Sequence, residues 1–369
     1  MREMPTPRTH FRLHPDAGRN SSLFHARWCV ALIAPILTVF FFPASAAGQT
    51  LTLQGNPAGI MISPAGPRAY TASFGTMNGL GVGTPSTGVT AIPLANGTLY
   101  YTLLDLQAGG LNRRQTANIT ARLISIGRPV AFTPETCPAS AGCTSSTDYT
   151  ALSTTSNNTI ATGVGNNQTV TSGLAILVPD NDGPSSFVGT DTIAVRYTIT
   201  RGRRSSNVTL TLNVQSETAV SLILSSDPSG ATIATSLDYS LDFGNVNALG
   251  IGPGAGFATS AVAGGVIYST PYLLNPAFAE FSSTTATIQV YVSMDFAHPT
   301  ILDLRDASAS AGPFNSISNV MATPTQIANT AADRTAIARY LGLFVSNANG
   351  AGAFTGMDNA TLTFTLTVP

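Results

Sequence analysis

Apolar and polar residues alternate along most of this chain. Ile193, Val195, Tyr197 and Ile199 share one face of a period-two run, Leu210, Leu212 and Val214 share a second, and Leu362, Phe364, Leu366 and Val368 a third. Alternation at that period sets every other side chain on one face of a pleated ribbon, so these segments are half-buried antiparallel strands. Turn signals separate them, with DPSG at residues 227–230, NDG at 181–183 and NG at 349–350. These read as tight turns, and their spacing suits a sandwich. Only residues 329–340 show a helix-like pattern, and the expectation there stands between a short helical turn and none.

The same pattern occurs twice. FGTMNGLGVG at residues 74–83 returns as FGNVNALGIG at 243–252, and Tyr70 and Tyr239 precede the two FG pairs by the same distance. NPAGIMI at 56–62 matches DPSGATI at 227–233, GTLYYT at 97–102 matches GVIYST at 265–270, and TANI at 116–119 matches TATI at 285–288. LAILVPDNDGPSSFVGTD at 174–191 then matches LGLFVSNANGAGAFTGMD at 341–358 without a gap. Collinear matches of this kind mark a duplicated module. The fold class expected is all-β: two tandem Ig-like antiparallel β-sandwich domains, residues 47–218 and 219–369.

The ends of the copies admit two alignments. Matching Phe187, Gly189 and Asp191 to Phe354, Gly356 and Asp358 pairs TIAVRYTIT with TLTFTLTVP. The first copy then has one more strand, NVTLTLNV at 207–214, for which the second shows no counterpart. On this alignment the second domain lacks its last strand and leaves an acceptor edge at Thr361, Leu362, Phe364, Leu366 and Val368. An open edge of that kind is filled by a strand from another chain, a protein subunit or a chaperone. The rival alignment sets NVTL against NATL at 359–362 and leaves nothing missing.

Residues 28–42 are an apolar run, preceded by Arg2, Arg8, Arg12, Arg19 and Arg27 and followed by Pro43 and the small residues Ala44-Ser45-Ala46. This is the pattern of a secretory signal peptide over residues 1–46, too short for a membrane anchor. Export places the mature chain outside the cytoplasm, in the periplasm, at the cell surface or beyond it, with no membrane span left after cleavage. Cleavage there leaves no Trp, no Lys and a single His, His298. A phosphate-loop or Schiff-base lysine and paired-histidine metal sites are thereby excluded. Cys137 and Cys143 remain as an even pair, expected to form a local disulfide in an oxidising compartment. The slight acidic balance gives no hint of nucleic acid, and no nucleic-acid partner is expected.

The chemistry-bearing residues read as structural. Gly79, Gly81 and Gly83, like Gly250, Gly252 and Gly254, follow strands, but no lysine or helix pattern follows them, so they are tight connections rather than phosphate cradles. Asp180 and Asp182 stand where the second copy has Asn347 and Asn349, which reads as a hairpin turn and not a calcium loop. His298 has Asp295, Asp303 and Asp306 nearby in sequence but no nucleophile motif. Arg113-Arg114 and Arg201, Arg203 and Arg204 are loop charges. No catalytic set, cofactor or metal site is expected, and the chain is read as a non-enzyme. A sugar-binding alternative, with a surface glycan as partner, would use Tyr100, Tyr101, Tyr268 or Tyr272 as stacking platforms.

LDFGNV at residues 241–246 and GAFTGMDNATLTFTLTVP at 352–369 resemble the opening and closing motifs of bacterial chaperone-usher fimbrial subunits of the spore-coat-U-like group. The end of the first copy is similar to bacterial cadherin-like and other Ig-like surface repeats. The fimbrial resemblance implies a two-domain adhesion or filament subunit, suited to a tip, whose second domain receives a donor strand.

Overall fold

The computed structural model describes residues 9–15, 48–183, 186–235, 238–347 and 354–369. Apart from residues 9–15, the expected leader over 1–46 lies outside these residues, as does the NG turn at 349–350. Strands are numbered in chain order from β1 (Thr9–Pro15) to β24 (Asp358–Thr367). No α-helix occurs among the described residues, and none of them forms a helix long and apolar enough to cross a membrane.

The chain divides into two compact units. The N-terminal unit comprises Gly18–Asn181 and Phe187–Glu217; the C-terminal unit comprises Thr218–Pro369, Asp182–Ser186 and the segment carrying β1. In the N-terminal unit, β3 (Ser63–Gly66), β4 (Ala69–Met77), β7 (Ala117–Ile126), β10 (Asn158–Val164), β12 (Gly189–Arg201) and β13 (Arg204–Ser216) build one sheet, ordered β10-β7-β12-β13-β4-β3. The other holds β2 (Thr50–Gly55), β6 (Gly97–Gly109), β8 (Thr133–Cys137), β9 (Thr150–Ala151) and β11 (Thr169–Pro179), ordered β2-β6-β11-β8-β9, with β5 (Thr90–Leu94) also on β6. Phe74, Ile119, Val195 and Leu210 from the first sheet meet Tyr100, Leu104 and Ile176 from the second in one buried core. That is the sandwich the period-two pattern requires, since each sheet hides one face against the other.

The C-terminal unit repeats the plan. One sheet is ordered β15-β16-β1-β24-β19-β22, with β15 (Ala234–Thr235), β16 (Tyr239–Gly244), β19 (Thr285–Met294) and β22 (Thr325–Ala332). The other is ordered β14-β18-β23-β20-β21, from β14 (Ala219–Ser226), β18 (Gly265–Ala279), β20 (Leu302–Ala307), β21 (Asn315–Ser316) and β23 (Ile337–Ser346), with β17 (Ala258–Val262) also on β18. Leu241, Phe243, Ile288, Leu362 and Phe364 pack there against Tyr268, Leu274 and Leu343.

One open local expectation is resolved and another is corrected. The helix-like window at 329–340 is shared between β22 and β23, because Ala331 and Leu341 are buried in the core and the backbone finds its partners in β19 and β18. Weak helix propensity gives way to that tertiary pairing. NDG at 181–183 does not close a hairpin, since β11 pairs with β6 and β8 while β12 pairs with β7 and β13. The tight hairpin is instead β12–β13, where Arg201 pairs with Arg204 across Gly202, whose φ of 56° a glycine adopts without strain. At 227–230 the turn is present, with the Gly230 N–H donating to Asp227 O at 2.9 Å.

Candidate functional site

Each FG pair puts a sharp bend in an inner strand, two residues before the end of β4 and at the end of β16. Gly75 has φ 78°, and a Cβ there would lie 2.5 Å from the backbone N of Ser86. The chain doubles back so that Ser86 N–H donates to Phe74 O at 2.9 Å, and in the second copy Gly254 N–H donates to Phe243 O at 3.1 Å. A tyrosine of the opposite sheet holds each turn: Tyr100 hydroxyl donates to Asn78 O at 2.9 Å and accepts Asn78 N–H at 3.1 Å. The glycine-rich stretches are therefore structural turns that fix the ends of β4 and β16, and with them one wall of the position between β16 and β24.

The other wall begins at a matched aspartate. In the N-terminal unit Asp191 accepts the N–H of Arg128 at 2.6 Å, while the Arg128 guanidinium lies 4.4 Å from the centre of the Phe187 ring. In the C-terminal unit Asp358 accepts the N–H of Ala297 at 3.0 Å and of His298 at 3.1 Å, and the His298 ring nitrogen Nδ1 lies 3.0 Å from its Oδ2. The His298 ring stacks on Phe354 at 3.8 Å. Burial pushes the Asp358 carboxyl up, but hydrogen bonds from Ala297, the His298 ring, Asn359 and the His298 backbone outweigh it and hold the group below its ordinary value. An aromatic, a glycine and an aspartate thus anchor the start of β12 and of β24 in the same way, with a cationic side chain in one copy and an imidazole in the other.

Between these walls the two units differ. In the N-terminal unit the position is held by β13, which returns from β12 through the RGRR hairpin, antiparallel to β12 and parallel to β4. In the C-terminal unit it is held by β1, a segment remote in sequence, parallel to β24 and antiparallel to β16. Sheet order matches strand for strand: β10-β7-β12-β13-β4-β3 against β22-β19-β24-β1-β16-β15. Of the edge residues expected from sequence, Leu362 and Phe364 are buried, Thr361 and Leu366 are half-buried on β24, and Val368 is half-buried just beyond it. The other side of β24 pairs with β19.

The remaining candidates fall outside this position. Cys137 and Cys143 form a disulfide, packed with Leu99, Tyr149 and Ala175 in a small cluster of its own. His298 does not pair with the carboxylates near it in sequence: Asp303 bonds Arg305 and Ser316, Asp306 bonds Tyr272 and Arg339, and Asp295 accepts the Phe296 N–H. Its partner Asp358 is brought in by the fold from 60 residues away. Tyr100, Tyr268 and Tyr272 are buried core residues, and the half-buried Tyr101 packs on Tyr149 at 5.8 Å, so three of the four proposed platforms present no face to a sugar. Arg113, Arg114, Arg201, Arg203 and Arg204 are all exposed, Arg201 and Arg204 as the facing strand ends of the β12–β13 hairpin.

No family model matches the chain, and no curated protein does. Among solved structures it is similar to the chaperone–tip adhesion subunit pre-assembly complex CsuC–CsuE from the archaic chaperone-usher Csu pili of Acinetobacter baumannii. That match has 9% identity over 81% of this chain and 97% of that one, with a TM-score of 0.30. It is similar also to the CupB6 tip adhesin of Pseudomonas aeruginosa, with 9% identity over 85% and 98% of the two chains and a TM-score of 0.28. A third similarity, to a family 123 glycoside hydrolase of Clostridium perfringens, has 7% identity, 46% and 28% coverage and a TM-score of 0.25.

Proposed function

We propose that this chain is an exported subunit of a surface adhesion or filament assembly, completed in its C-terminal unit by a strand from another protein, a chaperone or a neighbouring subunit. One observation carries the reading. The sheet position that β13 fills from within its own unit is filled in the C-terminal unit by a strand from a remote segment. A vacant position there would expose the edges of β16 and β24 and open a trough lined by Leu241, Leu362 and Phe364, which an added strand would close with backbone hydrogen bonds and alternating side chains. The role is assembly and adhesion, not catalysis.

The test uses the chain from residue 47 onward and a peptide of residues 205–216, SSNVTLTLNVQS, the strand that serves this position in the first copy. The peptide is expected to raise the Tm and suppress association, because a ligand that binds only the folded form stabilises it. A peptide carrying aspartate at both central leucines is expected to do neither. A protein that is a stable monomer and indifferent to both peptides would show that the C-terminal unit needs no strand.

A further inference from the structure

Two basic runs far apart in sequence, Arg113-Arg114 and the RGRR of residues 201–204, meet at one end of the N-terminal sandwich. The first lies in the β6–β7 connection and the second in the β12–β13 hairpin. Asn118 of β7 is in register with Thr200 of β12, so the two connections leave the sheet side by side. A third connection, GNNQ at 165–168 between β10 and β11, joins them: Leu111 N–H donates to Asn166 Oδ1 at 2.9 Å, and Asn167 N–H to Ala108 O at 2.8 Å. Gln49 ties the hairpin down, its Nε2 donating to Ile199 O at 2.9 Å and to Arg204 O at 2.7 Å. The end is a braced surface on which all five arginines are exposed.

Its charge is one-sided. Residues 48–50, 110–116, 165–168 and 201–204 contain no Asp or Glu, and Arg201 faces Arg204 across the hairpin, a pairing that repulsion disfavours. The outer face of the same sheet continues the pattern. Arg196 of β12 is in register with Arg122 of β7, again like facing like, and Arg196 Nε is buried with no hydrogen-bond partner among the described residues. Thr198 with Thr120 and Thr200 with Asn118 fill the rows between that pair and the hairpin. Five strand residues, about 17 Å, separate Arg196 from Arg201. The six strands of this sheet hold a single acidic residue, Asp191, near the start of β12, where its carboxylate accepts the Arg128 N–H. None of these seven arginines forms an ion pair among the described residues.

We propose that this end and the adjoining sheet face bind an acidic polysaccharide whose sugars carry carboxylates, as uronic acids do. A guanidinium fork takes a planar carboxylate through two parallel hydrogen bonds. Asn112, Asn166, Asn167 and Gln168, all exposed around the arginines, offer partners to sugar hydroxyls, as do the threonines of the sheet face. A basic track about 17 Å long suits a chain of repeated charges rather than one small anion. The four segments of the end hold no aromatic to stack on bases and no exposed large apolar side chain to enter a lipid layer.

The experiment reads the anisotropy of a fluorescent oligogalacturonate on the exported chain, from residue 47, at low and high salt. Capture is expected, and it should weaken as salt rises because the charges are exposed. Arg201→Gln with Arg203→Gln and Arg204→Gln, and separately Arg113→Gln with Arg114→Gln, should each weaken capture at least about tenfold. Arg128→Gln, a charge removed at the other end of the sheet, should leave it unchanged. The five positions are exposed, so both variants are expected to keep the Tm of the parent chain. No capture, or equal capture by the parent and both variants, would overturn the site. Tighter capture of duplex DNA, dextran sulfate or anionic lipid vesicles than of oligogalacturonate would overturn the assignment to a carboxylate-bearing glycan. Strand capture by the C-terminal unit is measured with a different ligand on a different unit, so the two readings fail separately.

Discussion

Tyr268 and Asn247 are joined twice: the tyrosine hydroxyl donates to the asparagine carbonyl at 2.5 Å and accepts its N–H at 3.0 Å. Tyr100 and Asn78 repeat the pair in the first copy, but Asn78 is buried and Asn247 is exposed. Water can replace a lost partner only at the second site. Tyr100→Phe is thus expected to cost about 1–3 kcal/mol, and Tyr268→Phe under about 1 kcal/mol, in urea unfolding. Equal losses would mean that the two turns are held by something other than these hydroxyls.

Beneath β24 lies a polar trio in which Tyr272 and Asp306 are buried and Arg339 is partly buried. Asp306 accepts from Tyr272 at 3.2 Å and from Arg339 Nε at 3.3 Å, and the Tyr272 ring meets Phe364 edge-on at 6.1 Å. Arg339→Met leaves a buried carboxylate without its cation and is expected to destabilise by about 3–5 kcal/mol. Changing Asp306→Leu in the same protein should recover most of the loss. A small effect of the single variant in urea unfolding would show that water reaches Asp306.

Two carboxyls should give the C-terminal unit opposite slopes of stability with pH. Burial, with the nearby Asp333 charge, outweighs the Phe281 N–H and Arg334 and raises Asp182 to about 6. The folded form therefore keeps a proton that the unfolded form has released at about pH 4, so stability falls as pH rises from about 4 to 6. Asp358 is held below its ordinary value, so its contribution is complete above about pH 4 and is lost as pH falls through the folded value. Asp182→Asn should remove the decline and Asp358→Asn the acid-side rise, in urea midpoints measured from pH 3 to 7. An unchanged profile in either variant would remove that carboxyl from the account.

The disulfide closes a short loop, Cys137 and Cys143 being 6 residues apart, so the chain-entropy model gives it only about 2 kcal/mol. Cys137→Ala with Cys143→Ala should lower the stability of the N-terminal unit by about that amount and leave strand capture by the C-terminal unit untouched. Loss of capture would mean that the two units are energetically coupled.

Much of this architecture is legible in the sequence because β-sandwich information is local and periodic. Alternation marks which face of Ile193–Ile199 or Leu362–Phe364 is buried, collinear repeats mark the duplication, and a cysteine pair six residues apart in a chain read as exported marks a disulfide. What pairs with what is not periodic. Nothing near His298 in sequence points to Asp358, and nothing in NDG distinguishes a hairpin from a crossover, because both depend on which sheet receives the next strand. The sequence alone leaves both alignments of the repeat ends open. Sheet order sets β24 opposite β12 and puts β1 where β13 stands in the other copy. The sequence by itself determined an all-β duplicated chain with a recurrent FG turn. Only the tertiary structure decided that the position beside β24 is taken by a remote strand, since strand pairing satisfies backbone hydrogen bonds with whatever edge the fold brings alongside.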